Sequence, residues 1–135
     1  MEYVFSIASG EYEKLKKILE ENPYDNVSFA KTGYTLRDSQ GLGLPEGSYV
    51  LYFSAEEEVG KKLANRLAEK AEERLKKIIE GKNLSEEQKA QILNGLKARE
   101  LSSLKAIEGK EKEEIIERIK SDEVNAAQGF GSIFG

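Results

Sequence analysis

The chain has 135 residues, of which 34% are charged, a net charge of −4, and neither cysteine nor histidine. This composition excludes disulfides, thiolate metal sites, a cysteine nucleophile and any Ser-His-Asp relay. It also removes the side chain that most often titrates near neutral pH. The mildly acidic balance argues against broad binding of phosphate backbones. The charge is carried mostly by Glu and Lys, as in hyperthermophile proteins. No apolar run approaches the roughly 20 residues that span a bilayer. The N-terminus lacks the basic n-region of a secretory leader, so a cytoplasmic protein without a membrane partner is expected. The length suits one domain that buries about two thirds of its unfolded surface.

In chain order, Tyr3-Val4-Phe5-Ser6-Ile7 predicts a strand covered on both faces. Ser9 is placed to cap a helix with Tyr12, Leu15, Ile18 and Leu19 on one face. Pro23 ends that helix near Glu21 or Asn22. Val27-Ser28-Phe29-Ala30 alternates like a strand, and Lys31-Thr32-Gly33 reads as a bulge or turn before Tyr34-Thr35-Leu36-Arg37 resumes the alternation. Residues 38–47 form a glycine-rich turn, and Ser48-Tyr49-Val50-Leu51-Tyr52-Phe53 is the strongest strand signal.

Ser54 is the expected cap of a long helix whose first turn carries Glu56, Glu57 and Glu58. Val59, Leu63, Leu67, Ala71, Leu75, Ile78 and Ile79 form its apolar stripe, and Gly81 stops it. Such a helix has about 26 residues and is roughly 39 Å long. Ser85 and Gln88 fit a capping box for a second helix bearing Ile92, Leu93, Leu96, Leu101, Leu104 and Ile107, with a weak point at Asn94-Gly95. Gly109 marks a stop or kink, and Ile115, Ile116 and Ile119 define a last helix. The stretch after Gln128 is glycine-rich and reads as a flexible apolar tail.

The fold class is therefore α+β. A small three- to four-stranded, mostly antiparallel sheet in β-α-β-β-α order precedes a C-terminal helical hairpin or bundle. Residues 1–81 form the sheet unit with the long helix, 82–128 the helical extension and 129–135 the tail. The third strand is expected between the first two, as in a split β-α-β sandwich lacking its last strand. That vacancy leaves a sheet edge to be covered by the C-terminal helices or a second copy.

No residue pattern assigns a catalytic, cofactor-binding or metal-ligating role. The 38–47 turn has three glycines but no phosphate-loop spacing and no lysine. Leu42 and Leu44 either tuck onto the core or meet a partner. Phe130, Ile133 and Phe134 cannot make a core of their own and are candidates for partner contact. Asp38 and Glu46 flank the turn and are the weak seed of a carboxylate-metal hydrolase. Phe29, Tyr34, Tyr49, Tyr52 and Phe53, with Lys31 and Arg37, are the seed of a base-stacking platform for RNA or single strands. The expected function is a non-enzymatic interaction or assembly module, acting on itself or another protein. It rests on more amphipathic helix than so small a sheet can cover.

Overall fold

The structure, a computed structural model, describes residues 1–134, with side chains through Glu123. Four strands form one antiparallel sheet: β1 Glu2–Ala8, β2 Thr35–Asp38, β3 Ser48–Ser54 and β4 Lys105–Ala106. Their order is β2-β3-β1-β4. β1 and β3 pair along their full length, from Glu2 opposite Ser54 to Ala8 opposite Ser48. The helices are α1 Tyr12–Leu19, α2 Phe29–Thr32, α3 Glu57–Ala68, α4 Ala71–Ile79, α5 Glu86–Lys97 and α6 Gly109–Phe134.

β3 lies between β1 and β2, antiparallel to both, in line with its fully apolar run. The continuous apolar runs of the two central strands have a simple cause: the sheet is covered on both faces. On one face Phe5, Ile7, Leu51 and Phe53 pack against Leu15, Ile18 and Leu19 of α1, Phe29 of α2, and Leu63 and Leu67 of α3. On the other, Val4 and Val50 pack against Leu42, Ile107 and the α6 residues Ile115 and Ile119. Ile119 is fully enclosed.

The expected vacant edge is occupied. β4 pairs outside β1, with Phe5 opposite Ala106 and Ser6 opposite Lys105, and Ile107 N–H donates to the Val4 carbonyl at 2.9 Å. The split β-α-β plan is therefore complete, with α4 and α5 inserted before its last strand and α6 added after it. Two residues of strand give no alternating pattern, so the sequence offers no sign of β4. Leu101, Leu104 and Ile107 accordingly leave the helix assigned to them. α5 runs through Gly95 and ends at Lys97, and Leu101 is buried in the first core.

Glu11 holds this arrangement. Its carboxylate accepts the backbone N–H of Ser102 (2.9 Å) and Ser103 (2.7 Å) and the hydroxyls of both serines. It thus ties the start of α1 to the segment that enters β4. Burial alone would raise the Glu11 pKa, but these hydrogen bonds dominate and lower it from 4.5 to about 2.

Other local departures have local causes. Residues 27–30 are not a strand, because Ser28 caps α2. Its buried hydroxyl accepts from Lys31 N–H at 3.2 Å and donates to the Asp25 carbonyl at 2.8 Å. Ser9 lies in a 3-10 turn and caps nothing, and α1 begins one step later at Tyr12. Ser54 remains in β3, so the residue before α3 is Glu56, while Glu57 and Glu58 still occupy the first turn. The capping box of α5 forms as expected, with Ser85 Oγ accepting from Gln88 N–H at 3.1 Å and Gln88 Oε1 from Ser85 N–H at 3.0 Å.

The long helix expected over 55–80 is two helices. Glu69 (ψ 132°) and Lys70 (ψ 150°) are extended between α3 and α4. Neither is a helix breaker, so the cause of this break lies outside the local sequence.

Gly60 of α3 is buried with the Tyr3 ring against it, and that ring stacks on Phe53 at 5.0 Å. Gly60→Ala should lower stability by about 1 kcal/mol, because overpacking of about 1–3 kcal/mol outweighs a helix-propensity gain of up to about 1 kcal/mol. Gly95→Ala in α5 meets nothing and should keep that gain. Urea midpoints of the two variants should therefore move in opposite directions. The Glu11 contribution has its own pH signature. With the folded pKa depressed, the stabilisation is complete above the ordinary value of 4.5 and is lost as pH falls towards about 2. Urea midpoints should fall more steeply for the wild type than for Glu11→Gln between about pH 5 and pH 2; parallel curves would remove Glu11 from this role.

Candidate functional site

The glycine-rich turn is a structural device. Asp38 Oδ1 accepts from Gln40 N–H at 2.9 Å, and the buried Ser39 hydroxyl donates to the Pro45 carbonyl at 2.7 Å. Gly43 (φ 76°) and Gly47 (φ 105°) take left-handed conformations that other residues adopt at a cost. Leu42 is buried in the second core, and Leu44 is half-buried against it. Of the two options for these leucines, the structure places Leu42 in the interior.

Asp38 is committed to its cap. Glu46 instead lines a cleft of about 260 Å³ with Ser6, Ser48, Lys105 and Glu111. Among the described residues, no group of three or more acidic side chains is arranged to hold a metal ion. The side chains of Phe130, Ile133 and Phe134 lie outside the described residues.

The aromatic residues are not gathered on one open surface. Phe29 is enclosed and packs edge-on against Phe53 at 5.3 Å, and both belong to the first core. Tyr49 sits on the same face against Tyr12, at 4.5 Å. Tyr52 faces the other way, beneath α6, and donates to Glu2 at 2.8 Å. Arg37 donates to Asp122 of α6 at 2.7 Å. The sheet face that a single-strand binder would leave open is thus covered.

The surface that stands out is the α4–α5 hairpin. Its two helices pack chiefly on each other. Leu75, Ile78, Ile79, Leu84, Ile92, Leu93 and Leu96 are all only partly buried or exposed, and none belongs to either core. Ile78 is 39% exposed. The amphipathic period that forms these helices therefore produces a partly exposed apolar face that, among the described residues, has no further layer on it.

An ion cluster fastens the base of the hairpin to the body. Arg74 of α4 lies between Glu21, which follows α1 (3.7 Å), and Glu69 (3.5 Å). Lys77 reaches Glu69 at 2.7 Å, and Arg99 reaches Glu21 at 3.1 Å. Burial would raise the Glu69 pKa, but Lys77 and Arg74 prevail and lower it. Glu21 Oε2 is buried without a hydrogen bond. These groups line a cavity of about 380 Å³ floored by Ile78 and Leu96. Sequence reasoning missed the cluster, because isolated charges on amphipathic helices look the same as a solvated face.

Comparisons with family models, with curated proteins and with solved structures find no match.

The enclosure of Tyr52 is directly measurable. Burial, the hydrogen bond to Glu2 and the nearby charges of Glu2 and Glu123 push its pKa up to about 12. Glu2→Gln removes both a charge and an ionised acceptor, so the Tyr52 transition should move to lower pH in an ultraviolet titration of tyrosinate. Tyr52→Phe identifies that transition by deleting it. An unchanged titration in Glu2→Gln would show that the pair is not formed.

Proposed function

We propose that the protein is a non-enzymatic assembly module that associates with a second copy of itself through the α4–α5 hairpin. The observation that carries this reading is the set of seven aliphatic side chains on the hairpin that neither core takes up. The simplest closed arrangement for a two-helix hairpin with an uncovered apolar face is a four-helix bundle with its own copy.

Charge favours a second copy as the occupant. α4 begins with Glu72 and Glu73 and ends with Lys76 and Lys77. α5 begins with Glu86 and Glu87 and carries Lys97 in its last turn. When such a helix meets its copy antiparallel about a two-fold axis, acidic turns oppose basic ones at both ends.

The other two readings have less behind them. A single-strand binder needs several aromatics exposed on one surface; Phe29 and Phe53 are buried, Tyr49 and Tyr52 are half-buried on opposite faces, and Tyr34 is exposed. A carboxylate-metal hydrolase needs Asp38 free, and it caps a turn.

Light scattering on a size-exclusion column should give the mass of two chains for the wild type and one for Ile78→Glu/Leu93→Glu. The variant should keep its circular dichroism, because neither residue supports a core. Both positions lie outside the two cores, Ile78 exposed and Leu93 half-buried. A wild type that stays monomeric at all concentrations would end the proposal.

A further inference from the structure

The break between α3 and α4 is a place where local sequence and structure disagree without a local cause. Residues 68–71 read Ala-Glu-Lys-Ala, all strong helix formers. The apolar stripe of Leu63, Leu67, Ala71 and Leu75 continues across the break at four-residue spacing. An interruption here forgoes the backbone hydrogen bonds that join one turn to the next. Something outside the segment must hold it open.

The ion cluster is positioned to do so. Arg74 reaches back across the break to Glu69 and sideways to Glu21, Lys77 reaches back to Glu69, and Arg99 closes on Glu21 from the far side of the hairpin. Lys70, in the break, faces Glu100 at 3.9 Å. The two chain segments that enter and leave the hairpin are therefore neighbours. Beyond them Leu101 is anchored in the first core and Ser102 and Ser103 on Glu11, so movement is confined to residues 69–70 and 98–100. The latch pairs are partly solvated, and ion pairs of that kind are weak and screened by salt.

We infer that residues 69–70 and 98–100 form a paired hinge latched by Glu21, Glu69, Arg74, Lys77 and Arg99, and that releasing the latch joins α3 and α4 into one helix and swings the hairpin away from the body. The released state recovers helical backbone bonds from the N–H groups of residues 70–73. It gives up the burial of Ala71 and the charge pairs. The angle of the hairpin is then set by ionic strength, or by any partner that competes for Arg74 and Arg99. The hinge does not depend on self-association.

The absence of cysteine makes the test clean. Spin labels at Glu58→Cys and Lys76→Cys lie on exposed positions of α3 and α4. A continuous helix places them on one face about 27 Å apart, at 1.5 Å per residue; the broken form gives a different, shorter distance. Doubly labelled chain diluted into unlabelled protein reports distances within one copy, whatever its mass. Raising salt from about 0.01 M to about 1 M shortens the screening length from about 30 Å to about 3 Å and should populate the long distance. Arg74→Ala should raise that population at low salt at least about threefold. Lys70→Pro should abolish it. Lys70 (φ −79°) follows an extended Glu69, a geometry proline accepts, whereas proline inside a continuous helix breaks it. A single short distance at every salt concentration and in Arg74→Ala would overturn the hinge, as would a long distance that survives Lys70→Pro. Light scattering on the same samples decides self-association separately.

Discussion

The two central strands present large apolar side chains to both sides of the sheet, and this requirement shapes the rest of the molecule. Phe5, Ile7, Leu51 and Phe53 need one covering layer, and Val4 and Val50 need another. α1 and α3 follow the strands closely enough in sequence to supply the first. The second comes from α6, which must begin on the other side of the sheet. β4 accomplishes that transfer: it pairs with β1, closes the edge and delivers the chain to Gly109, whose φ of 67° permits the turn into α6. A strand of two residues is enough for this because Glu11 holds the segment before it by four hydrogen bonds.

The parts of this design that depend on local chemistry are legible in the sequence. The β1 and β3 runs, the left-handed Gly81 and the Ser85/Gln88 box each need only a few adjacent residues. The central place of β3 is suggested by its fully apolar run, which needs cover on both faces. Most of what is not legible depends on distant partners. Lys105-Ala106 becomes a strand because β1 offers an open edge, and nothing in those two residues says so. Residues 27–30 fail as a strand because two local side chains, Asp25 and Ser28, bind the backbone first. That signal was present as Asp-x-x-Ser, and the apolar alternation of the next residues obscured it.

The same division separates the candidate surfaces. Leu42 and Leu44 are apolar residues in a turn, and sequence alone cannot choose between core and surface for them. The geometry does for Leu42, which is buried in the second core, whereas Leu44 is half-buried against it. The hairpin presents the reverse case. Its residues look like ordinary core-facing stripes, but both cores are built from other elements, before and after it in the chain. The apolar face left over is a consequence of how little sheet there is to cover.

The hairpin also shows why an amphipathic stripe does not fix the path of a helix. From Leu63 to Leu75 the stripe is continuous, and either a straight or a broken helix preserves its period. The straight form optimises backbone bonding within the segment, whereas the broken form places Arg74 between two carboxylates that are 48 residues apart in sequence. Local propensity favours the first form, and long-range charge favours the second. Salt weakens long-range charge and leaves backbone hydrogen bonding almost untouched. The contest is therefore decided by the solvent as well as by the sequence. A helix break built from ion pairs has a geometry that responds to its surroundings, which a break built from proline or glycine does not.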